Sequence, residues 1–138
     1  MNAVTIEKQG RIAVVSLNRP EKLNALNREI FADLRDAWRE VAEDDALRVA
    51  ILKGEGRAFS VGVDQSEGSA RGGRVRSVAT DREQRRYLLE TCFSAWDMPK
   101  PVVAQVHGHC LGAATLLPLL CDLIFVAEEA NIGEVARA

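Results

Sequence analysis

The chain has 138 residues, of which 47% are hydrophobic and 28% charged, and its formal net charge is −2 at pH 7. This length supports one hydrophobic core, and the near-neutral charge excludes a polybasic nucleic-acid-binding protein. The three cysteines are odd in number and lack metal-type spacing, which favours buried thiols in a reducing compartment. The apolar run over residues 116–126 is interrupted by Pro118 and Asp122 and is too short to span a bilayer. We therefore expect a cytoplasmic protein without a membrane, nucleic-acid or metal partner.

The first third of the chain predicts a β-hairpin followed by an amphipathic helix. Apolar residues at Val4 to Ile6 and Ile12 to Leu17 flank a Gln9-Gly10 turn, and residues 18–26 leave the sheet as a loop. Asn27 is a suitable cap for the next helix. The apolar positions of that helix recur at three and four residues and are Ile30, Phe31, Leu34, Ala37, Trp38 and Val41.

A second strand is predicted at Val49 to Leu52, and glycines turn the chain out of it. A dinucleotide-binding glycine pattern is rejected here, because Phe59 stands where the third glycine is required. Gly62 allows the backbone to approach a ligand closely. Residues 65–79 are rich in Gly, Ser and Arg and predict a loop. A capping box at Thr80 and Glu83 then begins a helix with an apolar stripe at Tyr87, Leu88, Cys92, Phe93 and Trp96.

The stretch over residues 102–126 joins a buried strand to a helix through a turn marked by Gly108 and Gly112. From Ala113 onward we predict a helix packed on all sides, followed by a buried strand. The first N–H groups of a helix have no partner inside it and lie at the positive end of its dipole, so an oxyanion can dock there. The sequence stops soon after the strand, and we expect it to be the first half of a longer protein.

Strands and helices thus alternate as in an α/β protein. In addition, LNRPEKLNALN (residues 17–27), AFSVGVD (58–64) and the block over residues 100–133 resemble three successive signatures of the crotonase superfamily, the enoyl-CoA hydratase and isomerase family. The resemblance implies the α/β ClpP/crotonase spiral of repeated ββα units, incomplete at the C-terminus. Residues 1–138 would form the N-terminal part of that single domain, without its helical C-terminal part. It also implies assembly as a homotrimer or hexamer.

The resemblance further implies chemistry on an acyl-CoA thioester through an enolate-like anion. Coenzyme A then enters as part of the substrate, and no separate cofactor is expected. Two backbone N–H groups hold the oxyanion in the family, and these positions match Val63 and Ala113. Contacts to the substrate and coenzyme A are expected from Lys22, Ala25, Leu26, Ser60, Val61, Asp64, Gln65 and Gly112.

The chain departs from the family pattern at the groups that move protons. The two catalytic glutamates of the hydratases match Leu116 and Ala136, and neither side chain can transfer a proton. Glu134 is the nearest substitute, since an offset of two residues on a strand restores the same face. Some relatives take their acid or base from later in the chain. Pro118 also interrupts the helix that follows the glycine turn.

Several alternatives remain open from the sequence. The chain fits a non-catalytic acyl-CoA-binding scaffold, or a crotonase-type hydrolase of thioester or C–C bonds. Gly108 to Gly112 also mimics a nucleophile elbow of an α/β-hydrolase, with Cys110 in the place of serine. Asp64 either orients its loop or caps a turn. His107 and His109 suit packing roles or proton transfer, and the arginines of residues 71–86 suit coenzyme A phosphates or a solvated surface.

Overall fold

The computed structural model describes residues 2–66 and 78–133, which form a mixed five-stranded sheet with helices against it. The strand order is β1-β2-β3-β4-β6; β1 and β2 are antiparallel and the other neighbours are parallel. A small parallel sheet pairs β5 with β7. The strands are β1 (Val4–Gln9), β2 (Ile12–Leu17), β3 (Val49–Gly54), β4 (Val102–Val106), β5 (His109–Leu111), β6 (Leu123–Val126) and β7 (Asn131–Gly133). The α-helices are α1 (Arg28–Glu43), α2 (Val78–Trp96) and α3 (Leu116–Leu119), and short 3₁₀ helices span Pro20–Lys22 and Gly112–Thr115.

The predicted hairpin, first helix and central strands are confirmed. Asn27 caps α1, and its Oδ1 accepts a hydrogen bond from the Ile30 N–H at 2.9 Å. The apolar face of α1 packs on the sheet and is buried at all six predicted positions. Strands β2, β3 and β4 also contribute buried side chains. The core therefore lies between α1 and the parallel strands. None of the helices in the described part of the chain has the length and apolarity needed to cross a bilayer.

The helix predicted from Ala113 onward is present, as a 3₁₀ helix over Gly112–Thr115 followed by a single α-helical turn, α3, before the chain re-enters the sheet. It is not packed on all sides as predicted, since Leu119 is 63% exposed. Pro118 has no N–H to donate to the carbonyl of Ala114, so the 3₁₀ helix and α3 do not form one continuous α-helix. The predicted capping box is also misplaced, since α2 already includes Val78 and Thr80 lies inside it. Most of the predicted loop, residues 67–77, lies outside the described residues.

Two further predictions near the end of the chain need correction. The turn predicted between Gly108 and Gly112 contains the short strand β5, which pairs with β7. The strand β6 was predicted to be buried, but all four of its side chains are exposed, with Phe125 66% exposed. It is the last strand of the sheet, and among the described residues nothing lies beyond it. Likewise Phe93 and Trp96, which were predicted on the apolar stripe of α2, are 47% and 67% exposed.

Lys100 closes the C-terminal end of α1 from a distant part of the chain. The last turn of α1 contains no basic residue, but Lys100 Nζ donates to the carbonyls of Val41 at 2.7 Å and Asp44 at 2.6 Å. A cation at this end of a helix pairs with otherwise unsatisfied carbonyls and with the negative end of the helix dipole. Lys100 therefore joins α1 to the segment that leads into β4.

We expect Lys100→Met to lower the free energy of unfolding by about 1 to 3 kcal/mol, since two carbonyls lose a charged donor. Urea denaturation of the purified protein measures this loss. Lys8→Met is the matched control: Lys8 Nζ contacts Glu40 and Asp44 with a half-exposed side chain, and exposed ion pairs contribute little. Equal losses in the two variants would contradict a specific role of Lys100 at the helix end.

Candidate functional site

The candidate site lies where the segment Ser60–Asp64 runs between two other parts of the chain. On one side Ser60 N–H donates to the carbonyl of His109, and Leu111 N–H donates to the carbonyl of Ser60, each at 3.0 Å. On the other side Leu26 N–H donates to the carbonyl of Gly62 at 2.7 Å, and Asp64 N–H donates to the carbonyl of Leu26 at 2.8 Å. These are parallel bridges, and they bring three sequence-distant segments together.

The bridge to Leu26 fixes the direction of the Val63 N–H. In a parallel pair, successive residues of one strand direct their backbone groups alternately to the two sides. Since Gly62 C=O and Asp64 N–H both point to Leu26, the N–H of Val63 points away from it. Among the described residues no backbone acceptor is found for this N–H, and the Val63 side chain is 49% exposed. Val63 therefore presents a backbone donor on the side of the segment that faces away from Leu26.

Ala113 presents a second backbone donor, in the first turn of the 3₁₀ helix. The preceding cap, Leu111, is extended (φ −123°, ψ 149°), and its side chain makes no capping hydrogen bond. An N–H in the first turn has no acceptor within its own helix. Thr115 Oγ donates to the Gly112 carbonyl at 2.7 Å and holds the turn closed from its far side. The N–H of Ala113 is thus left for a group outside the helix.

Gly62 is the position at which the two donor segments meet. Its φ is +91°, and a Cβ built on it would lie 2.8 Å from the carbonyl oxygen of Leu111 and 3.7 Å from the nitrogen of Ala113. The first distance is too short for any side chain, and the second places the neighbour of Val63 beside Ala113. A glycine is therefore required for the Val63 and Ala113 segments to pack this closely.

A buried asparagine supports the segment from below. Leu23 and Asn24 both have positive φ (51° and 54°), and Asn24 is fully buried. Its Oδ1 accepts from Arg19 N–H at 2.9 Å, while Nδ2 donates to the carbonyls of Glu55 and Ala58 at 2.8 and 2.9 Å. The Asn24 carbonyl accepts from Ser60 Oγ at 2.7 Å. One side chain therefore connects the loop after β2 to the segment after β3.

Asp64 caps a turn, which is one of the two roles left open from the sequence, and it also pairs with Arg19. Its Oδ1 accepts from Ser66 N–H at 3.0 Å and from Ser66 Oγ at 2.6 Å, which is a turn cap. Its Oδ2 accepts from both terminal nitrogens of Arg19 at 3.2 Å. Hydrogen bonds from Ser66 and then from Arg19 outweigh desolvation and hold the pKa of Asp64 below its ordinary value. The carboxylate is therefore charged at neutral pH.

The other predicted contact residues are distributed around this crossing. Ala25, Leu26 and Ser60 are buried, so Leu26 takes part through its backbone and Ser60 through its hydroxyl. Lys22 and Gln65 are exposed; Val61 and Gly112 are half-buried. Whether these residues contact a ligand stays a prediction.

Three positions were considered for proton transfer, namely Leu116, Glu134 and Ala136, and only the first of them lies in the described part of the chain. Leu116 is half-buried and packs against the hydrophobic core. Glu134 and Ala136 lie outside the described residues. Leu116, which the resemblance matches to the first of the two glutamates, therefore offers no acidic side chain.

The nucleophile-elbow interpretation of Cys110 is wrong on physical grounds. Cys110 lies on β5 instead of in a sharp turn and is fully buried. Burial raises the pKa of its thiol to about 11, so the nucleophilic thiolate is scarce at neutral pH. His107 is engaged with the carbonyl of Gly56 at 2.8 Å, whereas His109 is exposed on β5.

The arginines predicted for coenzyme A phosphates lie partly outside the described residues. Arg71, Arg74 and Arg76 fall there. Arg82, Arg85 and Arg86 line an open groove with Arg35, between α1 and α2. Arg86 pairs with Glu90 at 3.0 Å on the surface of α2. The described arginines thus form a solvated surface.

Sequence reasoning missed the role of Arg19 and Asn24, although both lie in the first signature block. The residue type gave a signal for the positive φ of Asn24, since asparagine tolerates this conformation better than most residues. Arg19 had none, because its partner Asp64 is 45 residues away.

Comparison with known proteins agrees with this architecture. The Enoyl-CoA hydratase/isomerase family matches residues 7–136, and the chain belongs to that family, within the crotonase superfamily. The chain is 31% identical over 133 residues to 2,3-dehydroadipyl-CoA hydratase of Escherichia coli, with 96% of this chain and 49% of that protein covered. It is 32% identical over 138 residues to the short-chain-enoyl-CoA hydratase of Clostridium acetobutylicum, with 97% and 50% covered.

A solved structure agrees at the level of the fold. The enoyl-CoA hydratase/isomerase of Xanthobacter autotrophicus Py2 superposes with a TM-score of 0.89 at 34% identity, over 96% of this chain and 48% of that one. The predicted crotonase fold is therefore confirmed as an incomplete crotonase spiral. The chain spans about half the length of the curated relatives it matches.

We expect Gly62→Ala to lower the free energy of unfolding by about 3 kcal/mol or more, because positive φ and overpacking against the Leu111 carbonyl both oppose a methyl group. Gly10→Ala is the control. Gly10 also has positive φ (+61°), but its Cβ would meet nothing within 4 Å, so we expect a loss of about 1 kcal/mol. Chemical denaturation of both variants measures the difference, and equal losses would contradict close packing at Gly62.

Proposed function

We propose that the chain is part of an acyl-CoA-processing enzyme in which the N–H groups of Val63 and Ala113 form an oxyanion hole. The supporting observation is the contact at Gly62, where the two segments that carry these donors pack against each other. Backbone donors that are held in place before the reaction stabilise a thioester oxygen as it gains charge. Loss of one such donor typically raises a reaction barrier by about 3 to 4 kcal/mol.

The substrate class follows from the family and from the printed names of its members. The two relatives described above are named as hydratases of different CoA thioesters. The thioester carbonyl is the group that these substrates share, and it is also the group that two N–H donors recognise. Enolate formation next to this carbonyl serves hydration and isomerisation alike, and either reaction is within the proposal.

A second candidate is an acyl-CoA-binding scaffold without turnover. The observation that favours it is Leu116, which puts an apolar side chain where the family's hydratases have a glutamate. Assays of the full-length protein with crotonyl-CoA and with aromatic and alicyclic enoyl-CoAs separate the two functions. Binding of these thioesters with no turnover of any would support the scaffold.

The source of the proton-transferring group is tested in the same assay. In Glu134→Gln the carboxylate is lost and the shape is kept. Loss of turnover in this variant would assign the proton transfer to Glu134. Unchanged turnover would assign it to another part of the full-length protein.

We expect the backbone ester at residue 113, made by incorporating lactic acid in place of Ala113, to lower kcat about 10²- to 10³-fold with little change in KM. The ester replaces the N–H by oxygen and keeps the methyl group, so only the donor is lost. Steady-state kinetics of the full-length protein measure the effect.

The same ester at Ala46 is the control. The Ala46 N–H donates to Asp44 Oδ1 in an exposed turn, remote in sequence from the site segments. We expect its kcat to equal that of the unmodified protein. A kcat at residue 113 that matches the Ala46 control would contradict the proposed oxyanion hole.

A further inference from the structure

The Val63 N–H is held in place by a chain of contacts that reaches back to Arg19. Arg19 Nη1 donates to the carbonyl of Ala25 at 2.7 Å, and both Nη1 and Nη2 lie 3.2 Å from Asp64 Oδ2. The side chains of Arg19 and Asp64 are only 17% and 10% exposed. One guanidinium therefore connects the residue before Leu26 with the residue after Val63.

The contacts of Arg19 lie beside the parallel bridge between Leu26 and Val63, which sets the direction of the Val63 N–H. Leu26 fixes Gly62 through its N–H and Asp64 through its C=O, and Val63 lies between them. Arg19 fixes the same two strands from the side, through Ala25 on one strand and the Asp64 carboxylate on the other. If the guanidinium is lost, the two segments keep three backbone hydrogen bonds, including that from the Val61 N–H to the Leu23 carbonyl at 3.2 Å, and the bond from Ser60 Oγ to the Asn24 carbonyl. They lose the side-chain link that lies directly beside Val63.

The Arg19–Asp64 ion pair also removes an electrostatic obstacle to an anion at this place. Asp64 is the residue after Val63, so its carboxylate lies well within one screening length of the donor. A bare carboxylate there would oppose the charge that develops on a thioester oxygen. Arg19 supplies the compensating positive charge, and the partly buried pair is neutral as a whole. The guanidinium thus has two effects that both favour a bound oxyanion. It holds the segment of Val63 in place, and it compensates the charge of Asp64.

We propose that Arg19 and Asp64 are positioning residues that aim the Val63 N–H at the thioester oxygen and keep the surrounding charge neutral. This inference rests on the proposed function, because it assumes that the oxygen binds at Val63. Neither side chain touches the substrate in this proposal. Both act through the backbone of Val63.

The proposal predicts an order of effects that a purely structural pair would not give. Asp64→Asn removes the charge and weakens the link, whereas Arg19→Met removes the link and leaves the carboxylate uncompensated beside the donor. Arg19→Met should therefore be the more damaging change. The double variant Arg19→Met with Asp64→Asn should be less damaging than Arg19→Met alone, since the uncompensated charge is gone.

The experiment measures the carbonyl stretch of bound butanoyl-CoA, labelled with ¹³C at the thioester carbonyl, by difference infrared spectroscopy of the full-length protein. Hydrogen bonding to the carbonyl oxygen lowers its stretching frequency. We expect a clear lowering in the unmodified protein, a smaller one in Asp64→Asn, the smallest in Arg19→Met, and partial recovery in the double variant. With crotonyl-CoA, kcat should fall roughly 10- to 100-fold in the single variants, with KM nearly unchanged.

Asp36→Asn provides the matched control. Asp36 pairs with Arg39 on the outer face of α1, and its side chain is 72% exposed. The substitution makes the same chemical change as Asp64→Asn without a link to the site. Its carbonyl frequency and kcat should equal those of the unmodified protein.

Each remaining outcome has a definite meaning. An unshifted carbonyl in the unmodified protein would overturn the proposed function itself. A shifted carbonyl that is the same in all folded variants, or a double variant worse than Arg19→Met, would overturn the positioning role alone. If Arg19→Met does not fold, Arg19→Lys replaces it. Lysine keeps the charge but cannot hold both acceptors in a planar fork, so an intermediate shift is expected and a full shift would overturn the proposal.

Discussion

The close approach of Gly62 to the carbonyl of Leu111 is the constraint on which the geometry of the candidate site depends. It brings together two segments that are some fifty residues apart in the sequence, and it leaves no room for a side chain. Gly62 is stabilised in this position from both sides, by the bridge of Ser60 to Cys110 and by that of Val63 to Leu26. The relative placement of the Val63 and Ala113 donors is therefore fixed by backbone contacts, whichever side chains stand at those two positions.

This dependence on the backbone explains how the chain tolerates departures from the family pattern. Ala113 and Ala114 each carry a methyl group in the turn, yet a methyl group does not remove an N–H. The side chains that matter for the donors are those that hold the backbone. These are Asn24, which is buried and fully hydrogen-bonded through its amide, and the Arg19 and Asp64 pair. A buried polar network of this kind is rigid only when its members are satisfied.

The parts of the fold that were predicted correctly are those with a local signal. Each of these features is encoded by residues close together in the sequence. They are the apolar period of α1 with its Asn27 cap, the hairpin around Gly10, and the apolar strands β3 and β4. Strand β6 was predicted to be buried, but its side chains are exposed. Its LIFV sequence shows that the strand is apolar but does not show which other element packs on it. The helix after Gly112 was predicted to be packed on all sides because its residues are apolar, but Leu119 is exposed, and the sequence does not state which faces are covered.

The site shows the same division between local and distant information. The resemblance supplied Val63 and Ala113 as donor positions, and the glycine at 62 signalled a close approach. The link from Arg19 to Asp64 spans 45 residues and has no spacing rule, so only the three-dimensional arrangement reveals it. Long-range polar pairs of this kind depend on the register of several strands at once. Their prediction from one sequence requires the fold to be known first.

In the proposed function, different groups stabilise the anion and transfer the proton, and the two tasks contribute differently to the reaction. Two aimed N–H donors lower the energy of any state in which the thioester oxygen carries charge, so they accelerate a reaction only if some group forms that state. In the proposed function, the two donors bind and polarise a thioester carbonyl but do not by themselves move a proton, and Leu116 has no group that could do so. Donor geometry therefore sets how strongly an enolate-like state is stabilised. The identity of the acid or base sets which reaction, if any, passes through that state.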